Sequence, residues 1–527
     1  MTGAVAPPLA RAYKMMQYEI IKYCCQFNVS FKRCNMTLSI VKSLYEKAGA
    51  RCRYQRIAEA LAEGVAEGLL KPGDTLPTQR ALAAALDITP GTVIRGYAEA
   101  ARKGLISGAV GRGTFVAFRR PDVDILPPLE APAPPSFSVP EECTSSACDD
   151  EGIRWNLGFI APFEHLNPSL GDALADLCRR MDAHTLAELQ SYHRPAGMAR
   201  HREAGAAWAA RYGVPVSSED LLICAGSQHA LLVLLTSLCR AGDHIAADPL
   251  SYPLLRQLAW RLGLRVTPIR TDSFGMLPDA LDSACRSGGI RAVYLMPSCR
   301  NPTLTRIPES RRRELAEVCR RHDILIIEDD VYALALNGGN GSAAALPSAA
   351  STSSVSPFAA LAPERTAFIA ATSEILGGGL RVAYLCPPQH YLEQLEHTVS
   401  YTISMVPPLM AELAAQWIND GTADRILRAK RGEAAARNAL AREIFDGTAL
   451  VSRSTGFFCW LPLPDSWTGM RFTDAARKKG ILVAEGEHFR MGHDVPENGV
   501  RLALGGVQNR EELAAALHAL RELAEGE

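Results

Sequence analysis

Two periodicities alternate along the chain. Residues 54–70 set Ile57, Ala58, Leu61, Val65 and Leu69 at helical spacing, an apolar stripe that predicts an amphipathic helix. Lys71-Pro72-Gly73-Asp74 ends it in a turn. Thr78 is placed to cap a second helix running through Leu86, with Leu82, Ala85 and Leu86 on its inner face. Thr89 is placed to cap a third, with Pro90 at the first helical position, where its missing N–H costs nothing. That helix carries Val93, Tyr97 and Ala100 and stops near Lys103. Leu105-Ile106-Ser107 and Thr114-Phe115-Val116 then read as short strands joined by Gly108-Ala109-Val110-Gly111-Arg112-Gly113. Three helices and a glycine-rich hairpin predict a winged helix-turn-helix over 53–120.

Past this head the rhythm changes. Residues 121–151 hold seven prolines with acidic pairs at Glu141-Glu142 and Asp149-Asp150, so 121–152 reads as an extended linker without a core. From 153 to 527, apolar runs such as Leu221–Ala225, His244–Ala247, Ala292–Met296, Ile324–Glu328 and Val382–Cys386 alternate with amphipathic stretches. That βαβ rhythm predicts an α/β body with a mostly parallel sheet between helices. Residues 337–363, rich in Gly, Ala, Ser and Pro, read as a flexible surface loop. Residues 1–52 match no named pattern, though Leu38–Tyr45 is spaced for a short amphipathic helix. They read as an unassigned extension outside the fold, or as sequence upstream of the true start, with a basic arm that clamps DNA as the sharper alternative.

Charge sharpens the division. The net charge of −1 hides +6 over residues 1–52, +4 over 53–120 and −11 over 121–527. A basic front on an acidic body suits a head that meets nucleic acid and a body that binds something else. No apolar run is long enough to cross a bilayer, and the stretch 15–25 is broken by Glu19 and Lys22, a poor signal peptide. The 14 cysteines are scattered without CxxC spacing, which points to free thiols in a reducing, cytoplasmic setting and to no metal site.

The motifs add a resemblance to the pattern. Pro72-Gly73-Asp74-Thr75-Leu76-Pro77, Arg80, Thr92-Val93 and Gly111-Arg112-Gly113-Thr114-Phe115-Val116 together resemble the DNA-binding domain of the GntR family. The third helix would then enter the major groove of a double-stranded operator. Arg80, Thr89, Thr92 and Arg95 would meet bases or phosphates, with Arg112 on the wing. Alone, Arg80 and Arg95 read as solvated helix charge, and Gly91 has no evident role.

In the body, Gly226-Ser227-Gln228, Tyr252 in Asp-Pro-Leu-Ser-Tyr-Pro, Asn301-Pro302-Thr303, Asp329-Asp330-Val331-Tyr332 and Ser373 with Arg381 follow the order of fold-type I pyridoxal 5'-phosphate (PLP) aminotransferases. The resemblance implies that Ser227, Gln228, Ser373 and Arg381 bind the phosphate and that Tyr252 stacks on the ring. It implies that Asn301 and Tyr332 bind the 3-oxygen and that Asp329 pairs with the ring nitrogen. Tyr192 resembles the tyrosine that reaches a partner subunit's phosphate, and Arg501 the arginine that clamps an amino acid's carboxylate.

One position departs. The family carries its imine-forming lysine seven residues before the arginine equivalent to Arg381; Glu374 stands there, and a carboxylate forms no imine. The body's three lysines, Lys430, Lys478 and Lys479, lie in no matching motif. Glu374 reads either as drift in a disused site or as an acceptor for an amine. A GntR-type head on an aminotransferase-like body resembles the MocR subfamily of regulators. That resemblance implies a homodimer that senses PLP, or an amine or amino acid reactive with it; with Glu374 in the lysine's place, the ligand would be held without a covalent bond and without transaminase turnover. A PLP enzyme with an appended DNA-binding head, and a PLP-free dimerisation scaffold, are the alternatives.

Overall fold

In the computed structural model the described residues are 37–49, 52–71, 74–103, 105–109, 113–116, 152–336, 355–492 and 498–526. They form two compact units, one within Met1–Pro134 and one within Pro135–Glu527. Arg112, the Pro72-Gly73 turn, residues 121–151 of the linker and residues 337–354 lie outside the described residues.

The head is built from helices α1 (37–47), α2 (Arg53–Ala66), α3 (Gln79–Leu86) and α4 (Pro90–Arg102), followed by strands β1 (Ile106–Ala109) and β2 (Gly113–Val116). The caps are local. The Ala81 amide donates to the Thr78 hydroxyl at 3.2 Å, and the Thr92 amide to the Thr89 hydroxyl at 3.4 Å. The two strands pair antiparallel, Ile106 opposite Val116. Ile57, Leu61, Leu82, Val93, Tyr97, Ile106 and Val116 close one core. The short helix expected near 38–45 forms over 37–47, and it joins that core instead of belonging to a poorly ordered extension. Its apolar positions Val41, Leu44 and Tyr45 share one face at helical spacing and are buried against α2. Arg56 donates to the Tyr45 carbonyl at 2.9 Å and lies over its ring.

The body opens with β3 (Trp155–Leu157). The large sheet takes β4 (Leu222–Cys224), β5 (His244–Ala247) and β6 (Arg265–Pro268); a small ribbon of β7 (Thr271–Asp272) and β8 (Gly275–Met276) follows. Then come β9 (Ile290–Leu295), β10 (Leu325–Asp329), β11 (Thr366–Ala371) and β12 (Ala383–Cys386), and last β13 (Phe458–Pro462), β14 (Ile481–Glu485) and β15 (Gly499–Ala503). The seven-stranded sheet runs β4-β12-β11-β10-β9-β5-β6, with β12 alone antiparallel to its neighbours. Helices cover both faces, so both sides of the inner strands β10, β11 and β12 are buried, as such a sheet requires, while the edge strand β6 stays partly exposed. Along β10, Leu325 and Ile327 pack into one core while Ile324 and Ile326 pack into another on the opposite face. A second sheet, β13-β15-β14-β3, takes β3 from the start of the body and its other strands from the end.

The period of two also separates adjacent carboxylates. Glu328 points to the face of Ile326, and Asp329 to the face of Ile327. Both Glu328 oxygens accept backbone N–H groups, from Phe358 and Ala359 at 2.9 Å each, and Arg312 lies 3.8 Å away. Residues 355–363 are therefore no free loop, contrary to the expectation from their composition. Phe358–Leu361 is a helical turn with Phe358 fully buried, pinned by the Glu328 carboxylate.

Candidate functional site

In the head, α4 offers an exposed face. Arg80, Thr89 and Arg95 are exposed and Thr92 is half-buried. The Thr89 and Thr92 hydroxyls lie 2.9 Å apart, so their first-turn geometry is fixed. The Arg95 guanidinium sits 4.7 Å from the centre of the Tyr54 ring, which orients it without satisfying its donors. Ile94, missed by pattern reading, is 48% exposed between Val93 and Arg95. Its signal was available: an aliphatic residue one position beyond the buried Val93 points off the helix's apolar stripe.

In the body, the predicted residues converge at the carboxyl ends of parallel strands, the usual crevice for ligands in such sheets. Gly226 follows β4, Tyr252 follows β5, Asn301 follows β9, Asp329 ends β10, and Ser373 and Glu374 follow β11. The end of β11 is held firmly. The Ala371 carbonyl accepts from the Trp208 indole and the Tyr212 hydroxyl, both at 3.1 Å. The Thr372 hydroxyl ties back to the Val382 carbonyl at 2.6 Å.

One side of the crevice is a cup. Gly226 precedes helix Ser227–Leu238 with φ 85° and ψ 171°, a conformation open essentially to glycine alone. A Cβ there would lie 2.4 Å from Arg381 Nη2, so the guanidinium rests directly on the glycine backbone. Arg381, itself at φ 51°, is exposed and donates to the Ala225 carbonyl at 3.1 Å. Free amides at the start of this helix, the Ser227 hydroxyl and the Arg381 fork make an anion site. Gln228 is exposed and donates to the Tyr252 hydroxyl at 3.0 Å, fixing that ring beside the cup.

The other side is acidic and buried. Asp329 is 3% exposed; its Oδ2 accepts from Tyr294 at 2.7 Å, while its buried Oδ1 has no partner. Burial raises its pKa to about 6 against the Tyr294 hydrogen bond, with the Asp330 charge adding to the rise. Glu374 is a half-buried residue whose Oε2 is buried without a partner. Burial raises its pKa to about 7; the Lys430 ammonium opposes the rise, Asp329 adds to it, and Arg501 and the Ser373 hydroxyl also oppose it. Tyr332 is buried edge-on to Phe458, and burial, with the Glu374 charge next, pushes its hydroxyl pKa well up.

Two predicted residues behave differently. Arg501 is 5% exposed; one terminal nitrogen donates to Asn301 Oδ1 at 3.2 Å and the other to the Gly158 carbonyl, with the Phe489 ring 5.1 Å away. Both ends of its fork are already held by protein oxygens. Tyr192 is 89% exposed, in a stretch without regular secondary structure. Lys430 gave no sequence signal because it lies in no motif. The helix Thr422–Ile444 brings it, fully buried, to the Glu374 main-chain oxygen at 3.2 Å. Burial lowers its pKa to about 8, against the Glu374 charge.

A winged helix with an outward recognition helix, carried with a body of aminotransferase architecture, defines a DNA-binding transcriptional regulator. Residues 53–116 match the gntR family of bacterial regulatory proteins, and residues 167–520 match aminotransferase class I and II. The chain is 30% identical to the HTH-type transcriptional regulator YdeF of Bacillus subtilis (strain 168) over 89% of its length and 94% of that protein. It is 27% identical to the vitamin B6 salvage pathway transcriptional repressor PtsJ of Salmonella typhimurium, over 88% of this chain and 97% of that one. A kynurenine aminotransferase of Pyrococcus horikoshii shares the fold, with TM-score 0.62 at 21% identity over 70% of this chain and 90% of that one. The chain belongs to the HTH-type transcriptional regulators that join a GntR head to an aminotransferase class I and II body.

Proposed function

We propose that this regulator, of MocR type, binds a double-stranded operator through residues 53–120 and senses a vitamin B6 phosphate in residues 153–527, with 121–152 as the linker. The effector is PLP, or an amine or amino acid reactive with it, held without a covalent bond to the protein and without transaminase turnover. The observation that carries the reading is the pairing of an intact cradle with a carboxylate where the family has its lysine. The Gly226–Arg381 cup fits a phosphate, and the orphaned Asp329 Oδ1 fits a protonated ring nitrogen. The Tyr252 hydroxyl, held by Gln228 beside the cup, suits that ring to the ligand's face, and Asn301 and Tyr332 are the residues assigned to the 3-oxygen. When bound, PLP supplies an aldehyde and an electron-withdrawing ring; Glu374 cannot condense with that aldehyde. The relative named for vitamin B6 salvage supports the same ligand class.

In the head, Arg80, Arg95 and Arg112 serve the phosphates, Thr89 and Thr92 the groove, and the exposed Ile94 suits a thymine methyl. The exposure of Tyr192 suits a homodimer in which it reaches the partner's ligand site. Among the described residues no helix is long and apolar enough to cross a membrane and the cysteines are free thiols, which supports a cytoplasmic protein.

Lys430 favours a second reading, a PLP enzyme with an unorthodox lysine, because a buried amine lies against the Glu374 backbone. An absorbance titration with PLP, followed by dialysis and by borohydride, separates the two. A chromophore that binds, dialyses away and is not fixed by borohydride supports the receptor. Fixation of the cofactor on Lys430 reopens the enzyme, and absence of binding reduces the body to a scaffold.

A further inference from the structure

We infer that the body selects pyridoxamine 5'-phosphate, the primary-amine form of the vitamin, over PLP, and that Glu374 reads the amine. The inference rests on the reading of the body as a vitamin B6 phosphate receptor.

The site is acidic where the ligand's reactive substituent must be distinguished. Glu374 Oε2 is buried with no donor, and the nine-tenths-buried Asp329, whose orphaned Oδ1 is assigned to the ring nitrogen, adds a second carboxylate to the cluster. A buried carboxylate oxygen without a donor is costly until a ligand supplies one. Lys430 does not fill this role, because its ammonium donates to the Glu374 main-chain oxygen and leaves Oε2 open. The neighbouring Ser373 hydroxyl likewise leaves Oε2 without a partner.

The candidate ligands differ in one group. The aldehyde of PLP presents only an acceptor to a carboxylate, which is repulsive. The hydroxymethyl group of pyridoxine 5'-phosphate presents one neutral donor. The ammonium of pyridoxamine 5'-phosphate presents three donors and a compensating charge. Glu374 therefore ranks the amine first, the alcohol second and the aldehyde last.

The geometry also argues for this ligand over a free amino acid. An amino acid needs a cation for its carboxylate, and Arg501 has both terminal nitrogens engaged, by Asn301 Oδ1 and by the Gly158 carbonyl. Pyridoxamine 5'-phosphate has no carboxylate, and its phosphate has the exposed Arg381 beside Gly226.

The test is isothermal titration of the full chain with pyridoxamine 5'-phosphate, pyridoxine 5'-phosphate and PLP, for wild type, Glu374→Gln and Glu374→Lys. Wild type is expected to bind the amine about ten- to a hundredfold tighter than the alcohol, the range of one charge-assisted hydrogen bond. Glu374→Gln is expected to bring amine and alcohol within about threefold while still binding both through phosphate and ring. Glu374→Lys is expected to reverse the order, favouring PLP in a form that borohydride fixes; it keeps the test decisive if Glu374→Gln folds poorly. Equal binding of the three ligands by wild type, or an amine preference that survives in Glu374→Gln, overturns the inference and leaves the receptor standing. Binding of none overturns the receptor reading and the inference with it.

Discussion

Replacing Gly226 by alanine attacks the cup at its narrowest point. At φ 85° and ψ 171° the residue occupies a region that costs an L-residue about 1–3 kcal/mol. The added Cβ would also stand 2.4 Å from Arg381 Nη2 and 2.8 Å from its Cζ, so the guanidinium must leave the glycine and its bond to the Ala225 carbonyl. Because Arg381 is exposed, that displacement adds little to the cost in stability. Its effect falls on the ligand, where a charge-assisted hydrogen bond to phosphate is worth about 1.5–3 kcal/mol. Gly226→Ala is thus expected to unfold at modestly lower denaturant and to bind pyridoxamine 5'-phosphate about ten- to a hundredfold more weakly. Unphosphorylated pyridoxamine should lose far less. Gly378→Ala is the control, since a Cβ there meets nothing within 4 Å. Titration calorimetry with both ligands reads the difference. A Gly226→Ala protein that keeps the full advantage of the phosphorylated ligand would refute the assignment of this cup to phosphate.

Other outcomes follow from single interactions. Burial raises the carboxyl pKa of Asp329 from 3.8 to about 6 and of Glu374 from 4.5 to about 7, so affinity for a cationic ligand should fall as pH drops from about 7 through 6, read by titration at stepped pH. The ligand-free protein should move the other way: the stability these two groups contribute is fully present below their unfolded values near 4 and is lost as pH rises through about 6 to 7. Glu328→Ala leaves the Phe358 and Ala359 amides without their acceptor, while Arg312 keeps its bonds to Ile307, Ser356 and Ser298, and should destabilise the body by about 1–3 kcal/mol for each stranded amide in denaturant titrations. Arg80→Ala and Arg95→Ala should each weaken DNA binding and reduce the slope of log affinity against log salt by about 0.9 for each phosphate no longer neutralised.

Much of the fold is written in local pattern. Thr78, Thr89 and Pro90 mark helix starts because capping acts over three residues, and β4, β5, β9, β10 and β12 are legible because burial makes each a largely apolar run. The failures are long-range. Val41, Leu44 and Tyr45 needed α2 as a partner before their stripe acquired meaning. The union of β3 with β14 joins residues more than three hundred apart, beyond any periodicity. Phe358 sits in a segment whose composition looks unstructured, and partners distant in sequence hold it: the Glu328 carboxylate, Arg312 and the core that buries its ring. In the site, Asp329, Tyr252 and Arg381 were legible through motif order. The occupied fork of Arg501 was not, because its acceptors, Asn301 and Gly158, lie 200 and 343 residues away. Lys430 was invisible for the same reason.

The central claim is that ligand in the body and DNA on the head share one free energy. The most direct measurement is fluorescence anisotropy of the full chain on DNA selected from a random pool, with and without saturating pyridoxamine 5'-phosphate. A shift in DNA affinity of about fivefold or more is predicted, in either direction. The same factor must reappear in the ligand's affinity when DNA is bound, because coupling is reciprocal. Identical DNA affinity with and without a ligand that demonstrably binds would contradict the account.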